Sequence, residues 1–505
     1  MNSSRKEICM RSGFARAVHA VGVITLTGLA AIPIHTTPAL SRGLVEEPCE
    51  HAFVLTTDFY TVGYYSTIEI PPPRNAIVSI EPVSTDAVAY YDVDEDLIFV
   101  VNRYLADNIQ IVENDPVFST IGQYSVGNGS NPHDIRLKDH TKAYVSRYEW
   151  KTLLICDPST GDSLGSIDLS PFADADGIPE MDRMEIVGDR LFVTLNSINR
   201  TTWLPDGPGK IAVIDVNADT LVDCDPDSTG VQPITLNLEN PYSELRYDPC
   251  DGLLYVGCLG RWGTKDGGIE AIDPVGLVST GVLMTEQDLG GDVSDVVLAP
   301  GAKGYAVVLE AVPWPDNFAR LVKFDEVTQM VTDTLFRQTS GSGSSLAGIE
   351  LNRQGELYLC DRDLTQPGVR IFDTVTDVQL AFVDVGLPPF DVAFTQLPMA
   401  ALDSVDEDPG DADPISVQTH PNPFALSTSI TYTLAGTEYA SVRLAIYDAA
   451  GRRVRTLSRG QVSPGTHRVD WDGKDRLDRT VPSGVYFCLL ESRGRTTGRK
   501  ILVMR

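Results

Sequence analysis

Four of the five tryptophans in this sequence, Trp150, Trp203, Trp262 and Trp314, fall in short polar segments between apolar runs. The equivalent segments also carry Arg103, Arg147, Arg200, Arg261 and Arg362. They read NRYLADN (102–108), SRYEWKT (146–152), NRTTWLPDGPG (199–209), GRWGTKDGG (260–268), VPWPDNF (312–318) and DRDLTQPG (361–368). Trp and Arg concentrate interface energy, and loops held on a rigid scaffold are where binding surfaces are built. A second set is acidic. Asp134, Glu244, Asp295 and Asp391 each stand just before the apolar part of a short strand, with His133 beside Asp134. Converging carboxylates could hold a cation or a polar ligand. Both sets also have a structural reading, in which each acid accepts backbone N–H groups of a neighbouring strand and each Trp wedges between units.

Other chemistry is sparse. Nucleophile elbows, phosphate-binding loops and HExxH are absent, and His133–Asp134 is a weak dyad because neighbours on a strand face opposite ways. DCDPDSTG (223–230) alternates carboxylates like a calcium loop but lacks the sharp-turn Gly and the distant Glu, so it reads as a plain loop. The eight cysteines show no zinc spacing. Cys224 and Cys250, in turns on one face of adjacent units, are the expected disulfide. No cofactor is predicted, and a divalent cation among the acids is the alternative.

These residues are positioned by a repeated phrase. An aromatic and β-branched strand recurs as LIFVV (97–101), KAYVS (142–146), LFVT (191–194), LLYVG (253–257), KGYAVV (303–308) and ELYL (356–359). A second strand follows each and closes on Glu113, Asp157, Asp215, Asp273, Asp325 or Asp373, 44 to 58 residues apart. An acid followed by turn residues suits a strand that ends in a tight turn, with the pleat burying alternate residues. Four short strands at this period describe a propeller blade. Innermost strands read HDIRL (133–137), SELRY (243–247), SDVVL (294–298), AGIEL (347–351) and FDVAF (390–394). The last has no complete blade after it, whereas AFVLTT (52–57) and YYSTIEI (64–70) have none before them. Joining the ends removes the exposed sheet edges and predicts seven blades over 49–398.

Export signals frame this domain. Arg5, Lys6, Arg11 and Arg16 precede an apolar run (17–34) and small residues near Ser41, so residues 1–41 read as a cleaved signal peptide, leaving no transmembrane span in the mature chain. Residues 399–413, rich in Asp, Glu, Pro and Gly, read as an acidic linker. Residues 414–505 alternate again through about seven short strands, as a small antiparallel sandwich does. The fold class is therefore all-β: a seven-bladed β-propeller followed by a small Ig-like β-sandwich.

The net charge of −30 divides unevenly. Residues 42–413 hold 62 acidic and 22 basic side chains, a balance of −40, and residues 414–505 hold 7 and 14, or +7. Excess carboxylate argues against a nucleic-acid partner.

The repeat resembles the YVTN-type and LVIVD-type propeller repeats of secreted bacterial surface proteins. In the tail HPNPF (420–424), IYDAAGRRVRTL (446–457), GTHRVDWDGKD (465–475) and SGVYF (483–487) resemble the FlgD-type immunoglobulin-like domain, a group that overlaps the type A sorting domain of type IX secretion. One departure is Asp478–Arg479, where that family usually turns on Gly. The resemblance implies secretion or display on the outer cell surface, with residues 414–505 meeting the secretion machinery; the other reading of the tail is a plain spacer. The expected function is a binding or scaffold protein for an extracellular polymer or surface protein, rather than an enzyme. The alternative is a lactonase-like hydrolase with a metal at Asp134, Glu244, Asp295 and Asp391.

Overall fold

The computed structural model describes residues 50–115, 117–310, 318–338, 346–396, 416–434, 440–448, 453–475, 479–492 and 495–504. The expected signal peptide, the linker (399–413) and Trp314 lie outside these residues. The chain divides into two compact units between Leu397 and Pro398.

Among the described residues of the first unit seven larger antiparallel sheets follow one another, six of them four-stranded and one five-stranded, beside a two-stranded sheet of Ile198–Asn199 and Leu204–Pro205. The five-stranded one gains its extra strand because Thr220–Leu221 and Ile234–Thr235 both pair with Lys210–Asp215. The innermost strands Ala87–Asp92, Pro132–Asp139, Met181–Val187, Arg246–Asp248, Asp292–Ala299, Leu346–Leu351 and Pro389–Gln396 follow one another in that order, Arg246 reaching Val296 O at 3.0 Å, and the last adjoins the first. The ring closes as the two ends of the domain suggested. Glu50–Thr57 pairs with Pro389–Gln396, setting Ala52 opposite Phe394 and Val54 opposite Val392. No sheet edge is left at the join.

The acids that end the third strands work as turn caps. Asp157, Asp215, Asp273, Asp325 and Asp373 each accept the backbone N–H two residues on, at 2.8, 2.8, 2.8, 3.1 and 2.8 Å. In four of these turns the residue at the return, Asp219, Leu277, Gln329 or Asp377, takes a positive φ near 55–60°.

One expectation fails. Alternate burial does not describe the blade strands: in Leu97–Asn102 every residue after the first is buried, and Glu356–Asp361 is buried throughout. The reason is that both faces of each sheet are covered by neighbouring sheets. Leu153 and Ile155 of one sheet, for instance, share a core with Met184, Val193 and Ala212 of the next.

Adjacent sheets are also pinned by polar side chains. Lys142 Nζ donates to Val216 O and to Asp219 at 2.8 Å, Arg190 to Pro274 O at 3.1 Å, and Lys303 Nζ to Thr374 O at 2.9 Å. Each of these acceptors lies in or beside the turn that ends a third strand of a following sheet.

The Cys224–Cys250 disulfide is not formed. Cys224 is a free thiol whose Sγ lies 3.6 Å from Val222 O, and Cys250 is disulfide-bonded, but not to Cys224. Cys224 belongs to the loop that returns as an extra strand of its own sheet. There it packs beside an apolar cluster that includes Phe192 and Ile234 of its own sheet and Leu254 and Ile272 of the next.

The second unit is a sandwich of a three-stranded sheet (Ser416–His420, Thr428–Leu434, Gly465–Trp471) and a four-stranded sheet (Arg453–Val462, Ala440–Asp448, Gly484–Ser492, Arg495–Val503). Thr428–Leu434 alternates strictly between buried and half-buried residues, as a strand with one covered face must. The quoted tail motifs supply the core. Trp471 is fully buried, with Phe424 and Tyr486 edge-on to it at 5.4 and 5.5 Å. The indole N–H donates to Lys474 O at 2.9 Å and the Tyr486 hydroxyl to Pro482 O at 2.9 Å.

Candidate functional site at the channel mouth

Three of the four ring acids tie neighbouring sheets together. One oxygen of Asp134 accepts the N–H of Ile135 and the other that of Met184 in the next sheet, both at 2.8 Å. Asp295 does the same for Val296 and Ile349 at 2.9 Å. Asp391 serves Val392 at 2.9 Å and Ala89 at 2.8 Å, across the join of the ring. These N–H groups sit on innermost strands where water has little access, so an acceptor supplied by the preceding sheet is structural.

Glu244 is different. It is one methylene longer, and its carboxylate reaches arginines instead: Arg183 at 2.7 Å and Arg136 at 3.7 Å. Arg136 also pairs with Asp134 and lies 3.6 Å from Glu185, and Arg246 bridges Asp295 at 2.6 Å and Glu350 at 3.0 Å. Burial pushes Asp134 and Glu185 up to about 7 and, helped by the nearby Glu244 charge, Asp391 up to about 6.

His133 turns away from Asp134. Its Nδ1 meets Asp182 Oδ1 at 2.7 Å, Arg103 approaches Nε2 at 3.3 Å, and the ring stacks on Tyr148 at 4.3 Å. Arginine can only donate and a carboxylate only accept, so the arrangement fits a neutral imidazole protonated on Nδ1. Burial and the Arg103 charge lower its pKa to about 4, against the pull of Asp182. His133, only 6% exposed, has no nucleophile among these contacts and is held as a structural group.

The loops separate into two kinds. Arg147 is buried, donates to Thr152 O at 2.9 and 3.1 Å, and stacks on Trp150 at 4.3 Å. Trp150 in turn fills the space beside Gly127, where an added Cβ would come within 2.8 Å of the indole. This pair is a wedge between sheets. Arg200 pairs with Glu149 at 2.7 Å and Glu180 at 2.9 Å and lies 5.9 Å from the Trp203 ring. Arg261 approaches Glu239 at 3.7 Å. Trp203 and Trp262 remain 67% and 51% exposed.

A cavity of about 300 Å³ opens at the mouth of the channel. It brings together Arg103, Trp262 and Arg362 from second-strand loops with Asp295 and Asp391 of innermost strands and Glu244, just before one. Asp134, Arg147, Trp150, Arg200, Trp203 and Arg261 do not line it. Its walls include groups that the sequence reading passed over, namely Asp86, Asp182, Arg183 and Tyr242. Asp182 and Arg183 were obscured because their strand, Met181–Val187, carries Arg183 where related strands carry the capping acid. The Asp134 bond to Met184 N fixes that equivalence. Among the described residues no three His, Cys, Asp or Glu side chains are grouped so as to hold a metal ion. The acidic loop at 223–230 is tied up internally: Asp223 accepts Gln232 N at 2.9 Å and Asp225 accepts the Ser228 hydroxyl at 2.6 Å.

Comparison with known proteins bears on the two units separately. The FlgD Ig-like domain family model matches residues 424–493. No curated protein matches the chain. Among solved structures, a functionally unknown protein from Desulfotomaculum acetoxidans DSM 771 aligns at 11% identity and TM-score 0.46, covering 69% of this chain and 99% of its own. The periplasmic gluconolactonase of Pseudomonas aeruginosa aligns at 14% and 0.45, covering 69% and 100%. Virginiamycin B lyase from Staphylococcus aureus aligns at 10% and 0.40, covering 61% and 91%. At such identities the likeness concerns fold alone. The chain is an all-β protein of propeller architecture whose C-terminal unit is similar to the FlgD Ig-like domain.

Proposed function

We propose that the propeller is a binding module of a secreted or surface-displayed protein, and that its ligand, part of an extracellular polymer or surface protein, engages the channel mouth. One observation carries this reading. Tyr242 and Trp262, 48% and 51% exposed, stand at the rim of a polar cavity on a scaffold whose sheets are stapled together. Large aromatic rings left to solvent on a rigid frame lose little entropy on contact and supply much of a binding interface. The tail, similar to the FlgD Ig-like domain and carrying +7, is read as the part that meets the export or attachment machinery.

A glycan and surface-protein array probed with the propeller tests the reading. Specific capture that is lost in the Tyr242→Ala, Trp262→Ala double variant is expected. Capture that survives this change overturns it. Deleting 414–505 should leave the propeller in a different cell fraction from the full chain, and an unchanged distribution would reject the sorting role.

A further inference from the structure

Three arginines line the mouth cavity, and they are not alike. Arg103 approaches Asp86 at 3.4 Å and His133 at 3.3 Å, and Arg183 is held by Glu244 at 2.7 Å. Arg362 has no ion pair among the described residues, and its Nε is buried without a hydrogen-bond partner. Burial without a countercharge lowers its pKa. A guanidinium is costly to desolvate unpaired, and a partner supplied from outside would relieve that cost.

The surroundings of Arg362 are built. Its guanidinium lies over the Phe59 ring at 4.7 Å. Phe59 takes a φ of 68°, an uncommon conformation for an aromatic residue. The turn that holds it there is heavily bonded: Thr57 Oγ1 accepts Phe59 N at 2.9 Å, and Asp58 Oδ1 accepts the N–H groups of Tyr60, Thr61 and Val62 at 2.9, 2.7 and 2.9 Å. Backbone strain fixed by its surroundings clusters at ligand clamps.

The acids of the cavity already have partners. Glu244 is on Arg183, Asp182 on His133, Asp295 on Arg246, and Asp391 on two backbone N–H groups. The balance of −40 over residues 42–413 disfavours a long polyanion, but charges beyond about 8 Å are largely screened at physiological salt, so the local cation governs one carboxylate.

We infer that the mouth cavity accepts a carboxylated sugar ring, the carboxylate held by the unpaired Arg362 guanidinium and the ring's C–H face laid on Trp262 or Tyr242. Arginine's planar fork matches a carboxylate, and an amphipathic ring suits an aromatic platform such as Trp262 or Tyr242 in the same cavity. This assignment rests on the proposal that the mouth is a binding site, and it narrows the ligand class.

The test uses glucuronate and glucose as probes of the full chain, read by calorimetry. Glucuronate should bind and glucose bind far more weakly. Arg362→Gln should weaken glucuronate by roughly tenfold or more, since it removes one partner of a charged pair, and leave glucose unchanged. Arg362→Lys, which keeps the charge but not the fork, should fall between. The melting temperature of Arg362→Gln should not fall below the parent's, because the change removes a charge that has no ion pair among the described residues. Glucuronate binding that is absent at millimolar concentration, or indifferent to Arg362→Gln, overturns the carboxylate assignment. If array capture sensitive to Trp262 persists in that case, the binding module stands; if it too is missing, both readings fall.

Discussion

In the sandwich Trp471 is fully buried against Phe424 and Tyr486, whereas in the propeller Trp203 and Trp262 leave more than half of their surface to solvent. The strands differ in the same sense. Thr428–Leu434 buries one face, but Leu97–Asn102 is covered on both. A two-layer sandwich has a single thin core and must fill it with its largest rings. A ring of sheets makes a core between neighbours mainly out of Val, Ile and Leu with Phe, Tyr and Met, which leaves Trp203 and Trp262 for other uses. Large apolar side chains left outside a well-filled core point to recognition.

The largest expected effect is in the sandwich. Trp471→Ala should cost roughly 3–5 kcal/mol and melt the tail while the propeller transition, followed by calorimetry, stays in place. A concerted shift of both transitions would break the contrast.

Next come the staples. Asp295→Ala or Asp391→Ala strips two backbone N–H groups of their acceptor and should destabilise the propeller by roughly 1–3 kcal/mol, read by denaturant unfolding. Glu244→Gln, which removes no backbone acceptor, should leave hydrogen-exchange protection of Ala89, Met184 and Ile349 intact.

His133 gives a smaller, pH-dependent effect. As a base whose folded pKa is lowered from 6.5 to about 4, it contributes stability that is present above pH 6.5 and is lost as pH falls toward 4. Asp134 and Asp391, raised by burial, act in the opposite sense, so the readout is the difference between the parent and His133→Gln. NMR should show the His133 imidazole still neutral at pH 6; a midpoint near 6.5 would contradict the burial argument.

Smallest is Trp203→Ala. Its ring is 67% exposed, and stability should change by no more than about 0.5 kcal/mol. A larger loss would mean that the exposed tryptophans are structural after all.

Much of the fold was legible because its cues are local. In five of the sheets an acid at the end of the third strand caps the turn that follows it, and the sequence repeats that cap. Two innermost strands, Ala87–Asp92 and Met181–Val187, were missed because Val88 and Arg183 occupy the position at which Asp134, Asp295 and Asp391 stand elsewhere. That position receives nothing from its own side chain; its neighbour's N–H is capped from the sheet before. Cys224 and Cys250 misled because adjacency of turns does not fix which cysteine pairs: Cys224 stays a free thiol packed against an apolar cluster.

The sequence by itself determined most of the strands, the capped turns and the division of charge, since each depends on residues close along the chain. Only the tertiary structure decided that Asp134, Asp295 and Asp391 hold sheets together, that Trp150 is a wedge, and that Arg362 alone among the mouth arginines lacks a partner in the described residues. Those outcomes rest on contacts between different sheets, where a shift of a few ångströms separates a paired charge from a free one.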